Sequence, residues 1–141
     1  MTGKILSINI SSHKGGKKSS VPEAVLVEGH GIKNDAHAGS KREISLLAVE
    51  SIRKVGGDLK AGDFAENLTT EDVDLLSLPV GTRLEISGCI IEITEHGKIC
   101  HDRCEIFKTH GKCVMPTEGV FAKVLKGGTI KRGDFISLAN K

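Results

Sequence analysis

Aromatic side chains are nearly absent: the 141 residues include four Phe, no Trp and no Tyr. A surface that stacks nucleic-acid bases needs exposed rings, so that class of function is disfavoured. The formal net charge is only +2, too small a field to hold DNA nonspecifically. Local basic patches can still attract a small anion. No apolar run approaches the roughly 20 residues of a membrane helix. The first ten residues carry no apolar core of signal-peptide length. The expectation is therefore a cytoplasmic chain with no nucleic-acid or membrane partner. Proline is limited to three residues. Four cysteines in a reducing compartment are read as thiols or metal ligands rather than disulfides.

Glycine, by contrast, is abundant, with 17 residues spread between short Val/Ile/Thr-rich runs. That pattern predicts many tight turns between strands. The length fits one domain spanning 1–141. Lys4–Ile10 and Val21–Glu28 are read as strands, the second as buried on both faces because its apolar run is continuous. The intervening loop, Ser11–Ser20, carries three Lys and is either a solvated turn or an anion-attracting lid. Glu43–Ala48 is apolar, and helical spacing follows from Leu47 to Val55 up to Gly56-Gly57. Residues 62–70 show neither period. Gly81–Ser87 and Cys89–Thr94 alternate about Gly88 and predict a hairpin. His101–His110 and Glu118–Leu125 are read as helices, and Thr129–Leu138 as a closing pair of strands. Many short strands with Gly-rich corners imply a mainly β fold, a closed or highly curved barrel with a few short helices.

The candidate chemistry is concentrated after the hairpin. Cys100, Cys104 and Cys113 fall within fourteen residues, with His96 and His101 beside them. Cys89, in an apolar strand, is read as a small buried hydrophobe. Lys98, His101 and Arg103 are cationic neighbours that favour the thiolate form of Cys100 and Cys104. Three readings stay open. Cys100 is a reactive or ligating thiolate; or Cys100, Cys104 and Cys113 hold structural zinc; or all are buried thiols. The spacing C-x3-C-x8-C is unlike the paired short spacings usual for zinc. A second polar set, His37, Arg42, Glu66 and Asn67, lies in or beside Gly-containing loops. Arg can clamp an oxyanion bidentately. No nucleophile elbow, P-loop or dinucleotide fingerprint is present.

Taken in order, several segments resemble the MOSC domain family, the module at the C-terminus of molybdenum-cofactor sulfurases that also occurs as standalone bacterial proteins. They are His37-Ala38-Gly39, Arg42–Leu47, Gly62–Thr69, Leu78–Leu84, Ile91–Thr94, Cys100, and Gly119–Leu125 with Gly133-Asp134. The string G-x-F-x-E-N-L-T at Gly62–Thr69 is the most specific. The resemblance implies a barrel like that of pyruvate kinase. It also implies a role around the molybdenum cofactor (molybdopterin), either binding it or carrying sulfur for molybdoenzymes. Cys100 stands where the family's cysteine falls, although Ile99 precedes it instead of proline. Cys100, with Cys104 as neighbour, would accept persulfide or ligate molybdenum. His37, Arg42, Lys98 and His101 would hold the anionic cofactor, and Glu66 and Asn67 would shape its pocket. No pyridoxal phosphate site is expected here, so sulfur would come from a partner cysteine desulfurase. Zinc remains the alternative metal, and a thiol-dependent enzyme acting on N-hydroxylated or sulfur-containing substrates a third possibility.

Overall fold

A computed structural model describes residues 2–11, 18–36, 38–40, 42–55, 66–96 and 119–139. The strands in chain order are β1 (Thr2–Ile10), β2 (Ser19–Val21), β3 (Glu23–Val27), β4 (Gly31–Ile32), β5 (Ile44–Ala48), β6 (Leu68–Glu71), β7 (Arg83–Ile86), β8 (Cys89–His96), β9 (Val120–Lys126), β10 (Gly128–Lys131) and β11 (Phe135–Leu138). One helix, α1 (Val49–Val55), follows β5, and a 3-10 turn covers Leu75–Ser77.

The strands run in the order β11-β7-β8-β9-β5-β6-β1, and β11 pairs with β1, so the sheet closes into a seven-stranded barrel. Closure removes the free edges that Ile- and Val-rich strands would otherwise present. Every pair around the barrel is antiparallel except β5–β6. That pair is parallel because the chain crosses over between the two strands, partly through α1. β2 pairs with the last three residues of β1, Ile8 to Ile10. A second sheet, β10-β3-β4, lies across the barrel and contributes Leu26, Ile32 and Ile130 to its core.

Inside, Ile5, Ile8, Ile44, Leu46, Leu68, Leu84, Ile86, Ile91, Ile93, Val120, Ala122, Val124 and Ile136 form one cluster. Each fully buried Ile or Leu stabilises the fold by about 1.5–3 kcal/mol. The β7–β8 hairpin turns on Ser87 and Gly88 with φ of 49° and 86°. Positive φ at both central residues is the turn whose twist matches the strands it joins.

Four sequence expectations change. Glu118–Leu125 is read as helical, but Val120–Lys126 is the strand between β8 and β5. Leu68–Glu71, read as irregular, is the parallel strand β6. The run through Val25 and Val27 is not buried on both faces: only Leu26 is buried in β3. The last two strands do not pair with each other, since β10 joins β3 while β11 joins β1 and β7. The segment expected to be helical over 101–110 lies outside the described residues.

Candidate functional site

A polar row crosses the outer face of the barrel. Ser45 lies between the core residues Ile44 and Leu46, Phe121 between Val120 and Ala122, and Asn9 and Asn67 beside Ile8 and Leu68. Strand alternation therefore turns all four away from the core. Ladder pairing aligns them: Ser45 opposes Phe121, and Asn9 opposes Ser20. Backbone hydrogen bonds run from Asn67 N to Ser45 O at 3.1 Å and from Asn9 N to Asn67 O at 2.7 Å.

Asn67 is wholly buried and acts as the knot of this row. Its Oδ1 accepts from Ser45 N at 3.0 Å and Ser45 Oγ at 3.3 Å, while its Nδ2 donates to Asn9 O at 3.1 Å. One side chain thus ties β5 to β1 across the entry to β6. Glu66, equally buried, accepts from Thr69 Oγ1 at 2.8 Å through Oε2. Asn9 Nδ2 donates to the Glu66 carbonyl and to Thr69 Oγ1, each at 3.1 Å, and Ser7 Oγ donates to Asn9 Oδ1 at 2.7 Å. Burying so many polar groups is tolerable because these hydrogen bonds satisfy most of their polar atoms.

At the other end of the row stands Arg42, just ahead of β5. Its Nε and Nη2 donate to Glu95 Oε1 and Oε2, both at 2.9 Å, in a two-pronged fork. The guanidinium lies 5.1 Å from the centroid of the Phe121 ring, within cation–π range. The hydrogen bonds from Arg42 hold the Glu95 carboxyl below its ordinary value, partly opposed by desolvation. Glu95 faces this way because of a β-bulge. Ile93 opposes Ala122, yet Glu95, two residues on, opposes Phe121, only one residue away. In a regular ladder Glu95 would oppose Val120 and point into the core. Next to it, His96 Nε2 lies 2.6 Å from the Leu78 carbonyl. A carbonyl only accepts, so Nε2 carries the hydrogen.

The loops around β1 and β4 are clamped by a buried ion pair. Lys18 Nζ and Asp35 Oδ1 are 2.7 Å apart with both side chains fully buried. Asp35 also accepts from Ser11 N at 3.1 Å, and Ala36 N donates to Ser11 O at 2.8 Å. Lys18 is therefore neither solvated nor available to an anion. This clamp fixes the residues immediately before position 37.

Among the sequence candidates, Arg42, Glu66 and Asn67 share this outer face. His37, Lys98, Cys100, His101, Cys104 and Cys113 lie outside the described residues. The segment carrying those thiols leaves the barrel at His96 and re-enters at Gly119. Its two ends are neighbours, since His96 opposes Val120. Cys89 is buried, and burial pushes its thiol above the ordinary value. Sequence reasoning missed Glu95, Phe121, Ser45, Asn9 and the Lys18–Asp35 pair. No group of three or more metal-ligating side chains occurs among the described residues.

Two cavities among the described residues lie elsewhere. One, of about 380 Å³, sits at the far end of β5 against Ala48, Ser51, Val73 and Leu75, with Glu50, Asp72 and Asp74 around it. The other, of about the same volume, is bounded by Glu85, Ser87 and Asp134. Both are lined by carboxylates, so neither suits an anion. No described helix is long and apolar enough to cross a membrane.

A family model described as MOSC domain matches residues 33–137. No curated protein matches the sequence. Among solved structures, the chain is similar to the YuaD protein from Bacillus subtilis, with TM-score 0.77 and 19% identity over 96% of this chain and 94% of that one. It is similar also to YiiM from Geobacillus stearothermophilus, with TM-score 0.76 and 18% identity over 98% and 75%. YiiM from Escherichia coli gives TM-score 0.74 and 14% identity over 99% and 70%. At such identities the likeness establishes the fold alone.

Proposed function

This chain belongs to the MOSC domain family, and from that premise we propose that it binds the molybdenum cofactor or carries sulfur for its metal–sulfur chemistry, with Cys100 as the working thiol. The family is associated with this cofactor. The observation that carries the reading is positional. The cysteine segment begins and ends at the barrel rim, where Glu95 and Phe121 meet Arg42.

The described residues fit an anionic organic group in one respect and a bare metal in none. They provide a guanidinium on an aromatic ring and a rigid polar wall, but no metal-ligand set. On the family resemblance, the ligand to molybdenum would be Cys100. Bound cofactor would supply a metal centre able to hold sulfur. The chain would supply the rest: Arg42, with Lys98, His101 and His37, would balance negative charge, and Glu66 and Asn67 would keep the rim rigid.

As a carrier, the Cys100 thiolate attacks the terminal sulfur of a donor persulfide. The donor's S–S bond breaks, its thiolate leaves, and the sulfur stays on Cys100 as a new persulfide. The donor would be a partner cysteine desulfurase, and the acceptor the cofactor or a molybdoenzyme. The test is to purify the native chain and Cys100→Ala and assay molybdopterin, sulfane sulfur and zinc. Molybdopterin or sulfane sulfur present in the native chain and lost in the variant supports the reading. Neither in the native chain, or both retained in the variant, removes it. Stoichiometric zinc, lost together with the fold on chelation, would assign the thiols to structure instead.

A further inference from the structure

We propose that Glu95 is a built-in competitor at an oxyanion site: its carboxylate occupies the Arg42 fork in the resting chain, and a phosphate group takes its place when ligand binds. The inference rests on the reading that this rim receives an anionic ligand. It adds the residue that decides which anions are admitted and how tightly.

Three features let the fork exchange its partner. The first is the bulge, which re-aims Glu95 from the core face to the outer face. The second is the seat of Arg42. The Ser40 hydroxyl donates to Arg42 O and lies within hydrogen-bond reach of Arg42 N, each at 3.2 Å, which fixes the backbone. The Phe121 ring, itself only 3% exposed, supports the guanidinium plane. Arg42 is thus held in place by groups other than Glu95, and its fork keeps its direction when the carboxylate swings away. The third is exposure: the side chains of Arg42 and Glu95 are 35% and 42% exposed. A pair this open to water is weakly held and can exchange.

The chemistry of the fork sets the ligand class. Two parallel N–H donors match two oxygens of one carboxylate or one phosphate. A carboxylate ligand would merely replace a carboxylate already present at high effective concentration. A phosphate monoester carries more charge and a third oxygen, so it competes better. The remaining carboxylate-lined cavities cannot offer this.

The experiment titrates the full-length chain with inorganic phosphate and reads binding by calorimetry. It compares the native chain, Glu95→Gln, Glu95→Gln with Arg42→Ala, and Glu85→Gln. Glu85 lies on exposed β7 positions away from the fork and controls for net charge. Circular dichroism checks that each variant is folded. Glu95→Gln should bind phosphate about fivefold more tightly, the double variant should lose that gain, and Glu85→Gln should match the native chain. The proposal is overturned if Glu95→Gln gains nothing, if the gain survives without Arg42, or if Glu85→Gln gains as much. Failure here is distinct from failure of the functional reading. A gated phosphate site without molybdopterin in the native chain would leave the competitor standing and change its ligand. Cys100-dependent molybdopterin with no effect of Glu95→Gln would do the reverse.

Discussion

Asn67 holds three strands with one side chain, and the consequence is measurable. Asn67→Ala leaves Ser45 N and Asn9 O without these partners in a buried setting. Each stranded buried group costs about 1–3 kcal/mol, so with two of them the variant should lose roughly 2–6 kcal/mol in urea denaturation. A loss below the error of the method would mean that water replaces the amide. Glu95 behaves differently because it is half exposed. Its folded carboxyl titrates below the ordinary value of about 4.3. Its contribution is therefore present above that value and lost as pH falls through the lower folded one. Native chain and Glu95→Gln should differ by about 0–1 kcal/mol at pH 7, and the gap should close in acid. A gap that widens on acidification would contradict the assignment. Asn67 was legible as a candidate because it sits in a distinctive string. Glu95 was not, because a bulge leaves no mark in an otherwise alternating strand.

At the scale of elements, β9 and β6 were misread for one cause: a side chain on the outer face is covered. Phe121 hides under Arg42, so β9 shows apolar residues on both faces and imitates a helix. In β6, Thr69 and Thr70 are fully buried polar residues, which erases the period of two. Where the outer face meets water, as in the β7 half of its hairpin, alternation is plain and the strands are readable from the sequence. Gly31 shows how elements are brought to the site. Its φ is +124°, and a Cβ there would lie 2.5 Å from the Glu43 carbonyl. Only glycine lets β4 approach the backbone beside Arg42 so closely. Gly31→Ala should destabilise the chain by about 2 kcal/mol or more. The measurement is thermal or urea unfolding, and a neutral result would show that β4 can shift without loss.

For the whole molecule, the barrel explains why residues far apart in sequence share one rim. Closure through β1 and β11 places the ends of β1, β5, β8 and β9 around the Asn67 knot and the Arg42 fork. The closed β architecture was legible from glycine-rich corners and short Val/Ile runs, and the family from its ordered segments. The wiring was not, because register and strand order depend on long-range pairing that no local pattern encodes. Arg42, Glu66 and Asn67 could be singled out in the sequence, but that they stand on one face, and with which partners, emerged only in three dimensions. The most direct measurement of the central claim is intact mass with peptide mapping after the chain is exposed to a cysteine desulfurase and cysteine. One added sulfur atom on Cys100, absent in Cys100→Ala and removed by a thiol reductant, is the expected result. Sulfur on none of the cysteines, or the same gain in Cys100→Ala, would contradict it.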